Sequence, residues 1–481
     1  MTSSDEKATP EDWKIRTEEE KKRKRGRERE RERERREKER EALKRERRRR
    51  RERRLRRRRE KTTELRVFMA TATAQGTRHL PLCFRQKSCG ALTSRRRGEE
   101  EKKKKARSLF RGKGSHSCFR ARALSERERE GYREATQAID WDNLGFSSEH
   151  VPKTSMFLAT ASVNSESGEW VWKEEDVQPY RQLSLDPSAQ VLNYGQSIFE
   201  GMKAHRTSQG NLVLFRPEEN AKRMAEGAAR MSMAPPPRDL FLKGVKEVVK
   251  ANAEYIPPHG KGSLYIRPLL LGTGAILGLG PAPSYTFLIY CSPVGGYFKG
   301  GQLTPISLKV EEVFHRAAPG GTGNTKCAGN YSPVLSVQLE AKAKGFNDVL
   351  YLDAVHNKYV EEVSSCNIFA VFGKKLVTPS LGTILPGVTR KSIIDLAREK
   401  GFEVEEKPLA IEEVLSADEC FTCGTAVVLS PVGYIEYGEK KKKYTGDDNA
   451  PGPVALDLYE TLSGIQQKAI EDPFNWVVDV V

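Results

Sequence analysis

Apolar residues first recur with a regular period near residue 139, where Ile139, Trp141, Leu144 and Phe146 are spaced among Asp, Asn and Gly. Beyond this point strand-like runs lie at 155–162, 169–172, 263–271 and 285–291. A helix opens at Arg216-Pro217-Glu218-Glu219, with proline in its first turn and acids near its positive end. Ala221, Met224, Ala225 and Ala228 mark the buried face of that helix. A second helix is predicted over 238–253, ended by Pro257-Pro258. From about 305 a β run leads to a glycine-rich loop, then a helix over 332–344 that stops at Gly345. Strands at 348–352 and 358–361 flank a turn, and Asn367–Phe372 is a strand with Gly373-Lys374-Lys375 as its hairpin. Thr389 is read as the cap of a helix that closes at Gly401.

Strands and helices mix without regular βαβ repetition, which predicts an α+β fold. The Gly- and Pro-rich piece from Pro293 to Gly301 reads as an interdomain connector. It divides the chain into a small α+β domain (136–292), a connector (293–304) and a large α+β domain (305–481).

Charge changes the picture only at the front. The net charge is +17, yet residues 21–60 alone hold 26 Lys or Arg against 10 Asp or Glu, so the basicity belongs to a tail and not to the folded body. Segment 1–68 is too charged to bury a core and is expected to be disordered or a solvated helix. Its basic stretch 21–60 has no aromatics for stacking on bases, so nucleic-acid contact is limited to nonspecific touch by this tail. Residues 69–135 form a transit-peptide-like and linker region. From Met69 to Gly98 there is no acidic residue among many Arg, Ser, Thr and Ala, the composition of an organelle import signal. Such signals stand first in a chain, so translation from Met69 is the favoured reading. Eight scattered cysteines show no framework, and Cys420-Phe421-Thr422-Cys423 reads as a pair of buried thiols. Neither a metal site nor a membrane span is expected.

Candidate chemistry centres on Gly320-Gly321-Thr322-Gly323-Asn324-Thr325-Lys326-Cys327-Ala328-Gly329-Asn330-Tyr331. A nucleotide-binding loop needs glycine before its lysine and Ser or Thr after it, and Thr325 and Cys327 occupy those places. A lysine between two flexible turns instead suits an amine nucleophile, provided burial or a neighbouring cation lowers its pKa, although a surface lysine in a turn fits the pattern too. If that amine held pyridoxal phosphate, the phosphate would want an arginine and free helix amides. Leu385-Pro386-Gly387-Val388-Thr389 leads straight into a helix, Gly424-Thr425-Ala426 offers further donors, and Arg216 is a plausible cation. The pyridine nitrogen would want a carboxylate, and Glu361-Glu362 stands before an apolar strand. If this pair lies in a strand, one of the two acids should point away from the core.

In that order these residues resemble the class IV aminotransferases: Lys326-x-x-Gly329-Asn330-Tyr331, Glu362 before Ser-Ser-Cys-Asn-Ile-Phe, Leu385-Pro-Gly-Val-Thr-Arg390 and Gly424-Thr425-Ala426. Tyr194-Gly195-Gln196-Ser197-Ile198-Phe199-Glu200-Gly201, Tyr265-Ile-Arg267-Pro-Leu and Pro293-Val-Gly narrow the likeness to branched-chain amino acid aminotransferases of the plant type over about 139–440. The resemblance implies a two-domain fold like that of D-amino acid aminotransferase, a homodimer, and pyridoxal phosphate held by Lys326 as a Schiff base. It implies reversible transfer of the amino group of Leu, Ile or Val to 2-oxoglutarate. By the same likeness Lys326 would shuttle a proton, Tyr331 would meet the ring hydroxyl and Glu362 the ring nitrogen. Arg216, Val388, Thr389 and Thr425 would hold the phosphate. Tyr265 with the amides of Thr425 and Ala426 would take the substrate carboxylate, supported by Arg267. Phe199, Tyr194 and Tyr297 would wall the side-chain pocket. Such a pocket separates substrates differing by one methylene by only ~1–3 kcal/mol, so all three branched substrates are expected. The alternatives are a D-amino acid aminotransferase or aminodeoxychorismate lyase on the same fold, or an RNA-binding or scaffolding role of the tail. Plastid import is expected, with the mitochondrion as alternative, and the cytosol if the N-terminal region is not a working import signal.

Overall fold

The computed structural model describes residues 134–296, 303–446 and 449–480. The first seven strands are β1 (Ser155–Val163), β2 (Trp170–Pro179), β3 (Ser197–Phe199), β4 (Met202–Arg206), β5 (Leu212–Phe215), β6 (Gly262–Gly272) and β7 (Ser284–Gly295). The next ten are β8 (Ile306–Glu311), β9 (Asp348–Leu352), β10 (Tyr359–Val363), β11 (Asn367–Phe372), β12 (Lys375–Thr378), β13 (Glu403–Glu406), β14 (Leu409–Ala410), β15 (Glu419–Gly424), β16 (Val428–Tyr437) and β17 (Lys440–Lys443), and β18 (Val477–Asp479) ends the chain. The helices are α1 (Gln190–Tyr194), α2 (Pro217–Arg230), α3 (Arg238–Ala251), α4 (Val334–Ala343), α5 (Val388–Glu399), α6 (Ile411–Ser416) and α7 (Pro453–Gln466).

They form two sheets. The first, antiparallel throughout, runs β18-β5-β4-β6-β7-β1-β2 with β3 paired to β6. The second runs β13-β12-β11-β15-β16-β8-β9-β10-β14 with β17 on β16, and is mixed, since β8 lies parallel to both β16 and β9. Helix α3 lays Leu240, Phe241, Val245, Val248 and Val249 on Phe157, Phe287 and Ile289 of the first sheet. Each fully buried ring of this kind stabilises the fold by about 1.5–3 kcal/mol. A side chain at Gly244 would sit 2.8 Å from Phe157, so glycine sets how closely helix and sheet approach. Helices α5 and α7 cover the second sheet with Ile393, Leu396, Leu458 and Leu462 over Phe369 and Phe421.

Three expectations need adjustment. The piece Pro293–Gly295 is the end of β7 and pairs with Gly262–Leu264, so the connector does not begin at 293. Helix α5 starts at Val388 with Gly387 at the cap position, which puts Thr389 inside the first turn. The end of the chain leaves the second sheet, because Val477–Asp479 adds to β5 at the edge of the first. Residues 1–133, which contain the charged segment and nearly all of the import-like region, lie outside the described residues.

Candidate active site

The lysine loop is held from inside. Asn330 Nδ2 donates to the carbonyls of Thr322 at 2.7 Å and Thr325 at 2.8 Å, and its Oδ1 accepts from Thr322 Oγ1 at 2.8 Å. A Cβ at Gly323 would fall 2.1 Å from the Thr383 carbonyl, so backbone packs on backbone there. The Phe199 amide donates to the Lys326 carbonyl at 3.1 Å, which ties the loop to β3 of the other sheet. Lys326 Nζ donates to Tyr331 Oη at 3.1 Å and lies 4.8 Å from the centre of the Phe199 ring. Burial, aided by the Arg223 guanidinium and opposed by Glu200, lowers the Lys326 pKa to about 8. Burial likewise pushes the Tyr331 phenol up to about 12, so it stays a hydrogen-bonding hydroxyl.

Strand β10 carries Glu361 and Glu362, and both are buried. The expectation that one would face solvent fails because this strand is covered on both faces. Glu361 accepts from Thr383 Oγ1 at 2.5 Å. Glu362 Oε1 accepts from Arg316 Nη1 at 2.5 Å and from the Leu385 amide at 2.9 Å. Burial raises the Glu362 pKa to about 7, and Arg316 opposes that rise.

Helix α5 opens without any side chain capping its amides, so the amides of its first turn, Val388 and Thr389 among them, have no partner within the helix. Val388, Thr389, Thr425 and Lys203 stand in the walls of one cleft. Thr425 Oγ1 donates to the Gly201 carbonyl at 3.1 Å, and Lys203 Nζ to the Ala426 carbonyl at 2.8 Å. The turn that bears Thr425 and Ala426 ends on Val428 at φ 62°, a strained conformation for a β-branched residue.

Arg216 is engaged elsewhere: it donates to Ser392 Oγ at 2.9 Å, pairs with Glu219 and Asp395, and packs 4.7 Å above Trp476. It sits before α2, in left-handed backbone at φ 45°, and so joins α2 to the side of α5. Of the cations that act on Lys326, Arg223 has the larger effect, ahead of Arg267. Arg223 Nε and Nη2 fork onto Glu200 at 2.9 and 2.6 Å, and Nη1 donates to the Pro386 carbonyl at 3.0 Å, just ahead of the open helix end.

On the opposite side, Arg267 lies 4.9 Å over Phe199 and donates to Tyr265 Oη at 3.4 Å, while its buried Nε has no partner. A Cβ on Gly201 would come within 2.3 Å of the Tyr265 hydroxyl. Tyr194 does not join this group within the chain. It is 48% exposed and donates to the Leu277 carbonyl at 3.2 Å. Tyr297 lies outside the described residues. Cys420 and Cys423 are buried free thiols, and no group of three or more potential metal ligands occurs among the described residues.

Sequence reading missed Arg223, Glu200, Lys203, Arg316 and Phe146, whose ring meets Tyr265 edge-on at 5.2 Å. Only Arg223 left a signal. It falls on the buried arc of α2 with Asn220 and Gly227, where a charge has no place without a partner. The assembled residues fit pyridoxal phosphate. An open helix terminus and a buried guanidinium suit a dianion, and a carboxylate and a phenol near the lysine are the group types a pyridine nitrogen and a ring hydroxyl call for.

Comparison with known proteins agrees with that chemistry. The sequence profile of the class IV amino-transferases matches residues 197–435. The chloroplastic branched-chain amino acid aminotransferase 2 of Humulus lupulus is 54% identical over 343 residues, 71% of this chain and 82% of that protein. The mitochondrial branched-chain amino acid aminotransferase 1 of the same organism is 50% identical over 344 residues, 71% and 84% of the two chains. Among solved structures, the branched-chain amino acid aminotransferase of Escherichia coli is similar with a TM-score of 0.55 at 27% identity, covering 68% of this chain and 99% of the other.

Proposed function

The chain belongs to the class IV aminotransferases, and we propose on that footing that it interconverts Leu, Ile or Val and 2-oxoglutarate with the branched-chain 2-oxo acids and glutamate. The observation that carries this reading is the half-buried Lys326, its amine bonded to Tyr331, with Glu362 and Arg223 within electrostatic reach. The identity to enzymes named for branched-chain substrates favours these over the D-amino acid and lyase alternatives. Pyridoxal phosphate, the cofactor of this family, supplies an aldehyde that joins amines covalently and a ring that accepts electrons from the substrate Cα.

The protein's own residues do the rest. With a pKa of about 8, Lys326 keeps part of its amine uncharged near neutral pH, able to attack a carbonyl and to carry a proton to and from the substrate Cα. The Tyr331 phenol would meet the ring hydroxyl, and Glu362 would accept from the ring nitrogen. Val388, Thr389 and Thr425 would hold the phosphate, with Arg223 in place of Arg216 as its cation. Tyr265 and the amides of Thr425 and Ala426 receive the substrate carboxylate, with Arg267 behind them. Phe199, with Phe146 at the mouth, excludes water from the apolar side chain.

Dimerisation is part of the proposal. Leu192, Tyr194, Leu277 and Leu279 are exposed apolar side chains, with the Tyr194 hydroxyl bonded to the Leu277 carbonyl, and a second copy would cover them. Tyr194 and Tyr297 would then act at the edge of a shared pocket. No helix of the described residues is long and apolar enough to cross a membrane. The relatives named chloroplastic and mitochondrial support import into an organelle, and the plastid is our reading. The division into two α+β parts likewise remains our proposal, with the first running to Gly295 and taking in the returning strand Val477–Asp479.

The test is the absorbance of purified protein before and after borohydride, followed by peptide mapping and an assay with leucine and 2-oxoglutarate. We expect a visible band that borohydride removes, label on Lys326 and formation of glutamate. Colourless protein, or label on another side chain, would overturn the reading.

A further inference from the structure

We propose that Arg316 is a positioning residue for Glu362, pinning its carboxylate by one oxygen so that the other stays turned to the ring nitrogen of the cofactor. The inference rests on the role of Glu362 given above and adds a requirement to it. Both side chains are 2% exposed, and Arg316 Nη1 reaches Oε1 at 2.5 Å. The Leu385 amide reaches the same Oε1 at 2.9 Å. On Oε2 the contact is with Asn367 Nδ2 at 3.5 Å, and that amide makes its better bond to the Leu385 carbonyl at 3.0 Å. One oxygen is therefore fully occupied and the other has room for a strong donor.

Charge sharpens the argument. A carboxyl group in a site this dry tends to take up a proton, and a neutral acid donates where an acceptor is needed. The groups that act on Glu362 or feel its charge are Arg316, Glu361, Lys326, Tyr331, Cys366 and Cys423. Two of these are cations, and the Lys326 amine loses its charge near pH 8. The guanidinium of Arg316 is the cation in direct contact with the carboxylate. It is braced in turn by the Ser364 carbonyl, which its Nε approaches at 3.5 Å. Because Arg316 stands in the segment between β8 and the lysine loop, it links that segment to the acid on β10.

A buried ion pair is often no more than structural, so the test must separate that role from positioning. Holoenzyme loaded with ¹⁵N-ring-labelled pyridoxal phosphate is prepared as wild type, Arg316→Gln, Arg316→Lys, Glu362→Gln and the Arg316→Gln/Glu362→Gln double variant. The leucine half-reaction is followed by stopped flow, the ring nitrogen by ¹⁵N NMR and the fold by thermal melting. We expect Arg316→Gln to slow the half-reaction by about 10–100-fold, the usual effect of losing an outer-shell partner, and to move the ring signal toward the unprotonated position. The double variant should be no slower than Glu362→Gln alone, because both changes break one chain of interactions. Arg316→Lys, which keeps the charge, should restore most of the signal.

Effects that multiply in the double variant, or a ring signal unchanged in Arg316→Gln, would overturn the proposal. If Arg316→Gln does not fold, the uncharged Arg316→Met takes its place in the cycle, and an unmoved rate and signal there would equally overturn it. Failure of the underlying reading looks different: Glu362→Gln itself would then leave both the rate and the ring signal unchanged.

Discussion

Two arginines seven residues apart compete for the phosphate, and exchanging each for glutamine separates them. Arg223 makes two bonds to Glu200 and one to the Pro386 carbonyl, and each terminal nitrogen keeps one N–H for a ligand. In Arg223→Gln, Glu200 stays buried with Asn220 Nδ2 at 2.8 Å as its remaining side-chain donor. Breaking a buried pair in this way costs about 3–5 kcal/mol of stability. Loss of a charge-assisted bond to phosphate is worth about 1.5–3 kcal/mol, which is roughly 10–150-fold in cofactor affinity. The variant also removes the guanidinium that lowers the Lys326 pKa and leaves Glu200, which raises it. Its lysine should therefore react more slowly with plain pyridoxal, which has no phosphate, at pH 7.5. Arg216→Gln should lose stability through Ser392 and Asp395 while keeping cofactor affinity within a few fold. Titrating each apoenzyme with pyridoxal phosphate by absorbance, alongside denaturant melts, measures both terms. Weaker cofactor binding in Arg216→Gln than in Arg223→Gln would refute the assignment.

The rate at which pyridoxal labels apoenzyme should rise about tenfold per pH unit and level off near pH 8, following the Lys326 amine; a midpoint above 10 would contradict its burial. Because the native lysine sheds its proton near 8 and the unfolded one near 10.5, the unfolded state binds more protons between those values, and stability rises with pH across that window. Denaturant melts of wild-type apoenzyme against Lys326→Met test the sign, since the variant should lack this gain. Gly201→Ala should displace the Tyr265 hydroxyl, whose oxygen lies 2.3 Å from the new Cβ, and raise KM for leucine by about 10–100-fold through one lost charge-assisted bond; an unchanged KM would remove Tyr265 from carboxylate binding. Removing residues 1–133 should leave transamination of leucine intact in a steady-state assay, and loss of activity without loss of fold would give the tail a catalytic part.

Much of the site can be read from local sequence. Glycines about Lys326, the Pro-Gly turn ahead of Val388 and the Gly345 and Gly401 helix ends, at φ 87° and 77°, follow from what each residue's own backbone allows. The periodic runs likewise locate α2, α3, α5 and most long strands to within a few residues, because burial of one face repeats along the element itself. What stayed hidden depends on partners far away in the chain. Whether Arg216 or Arg223 meets the phosphate turns on which of them finds Glu200 and Pro386 and which finds Ser392 and Asp395. Both Glu361 and Glu362 are buried because Thr383 covers one and Arg316 the other. Tyr194 turns outward to Leu277, and Val477–Asp479 crosses back to pair with Val213–Phe215 of the first sheet. A side chain's chemistry and its period are properties of nearby residues; its counter-charge is supplied by whatever the packed sheets and helices bring against it.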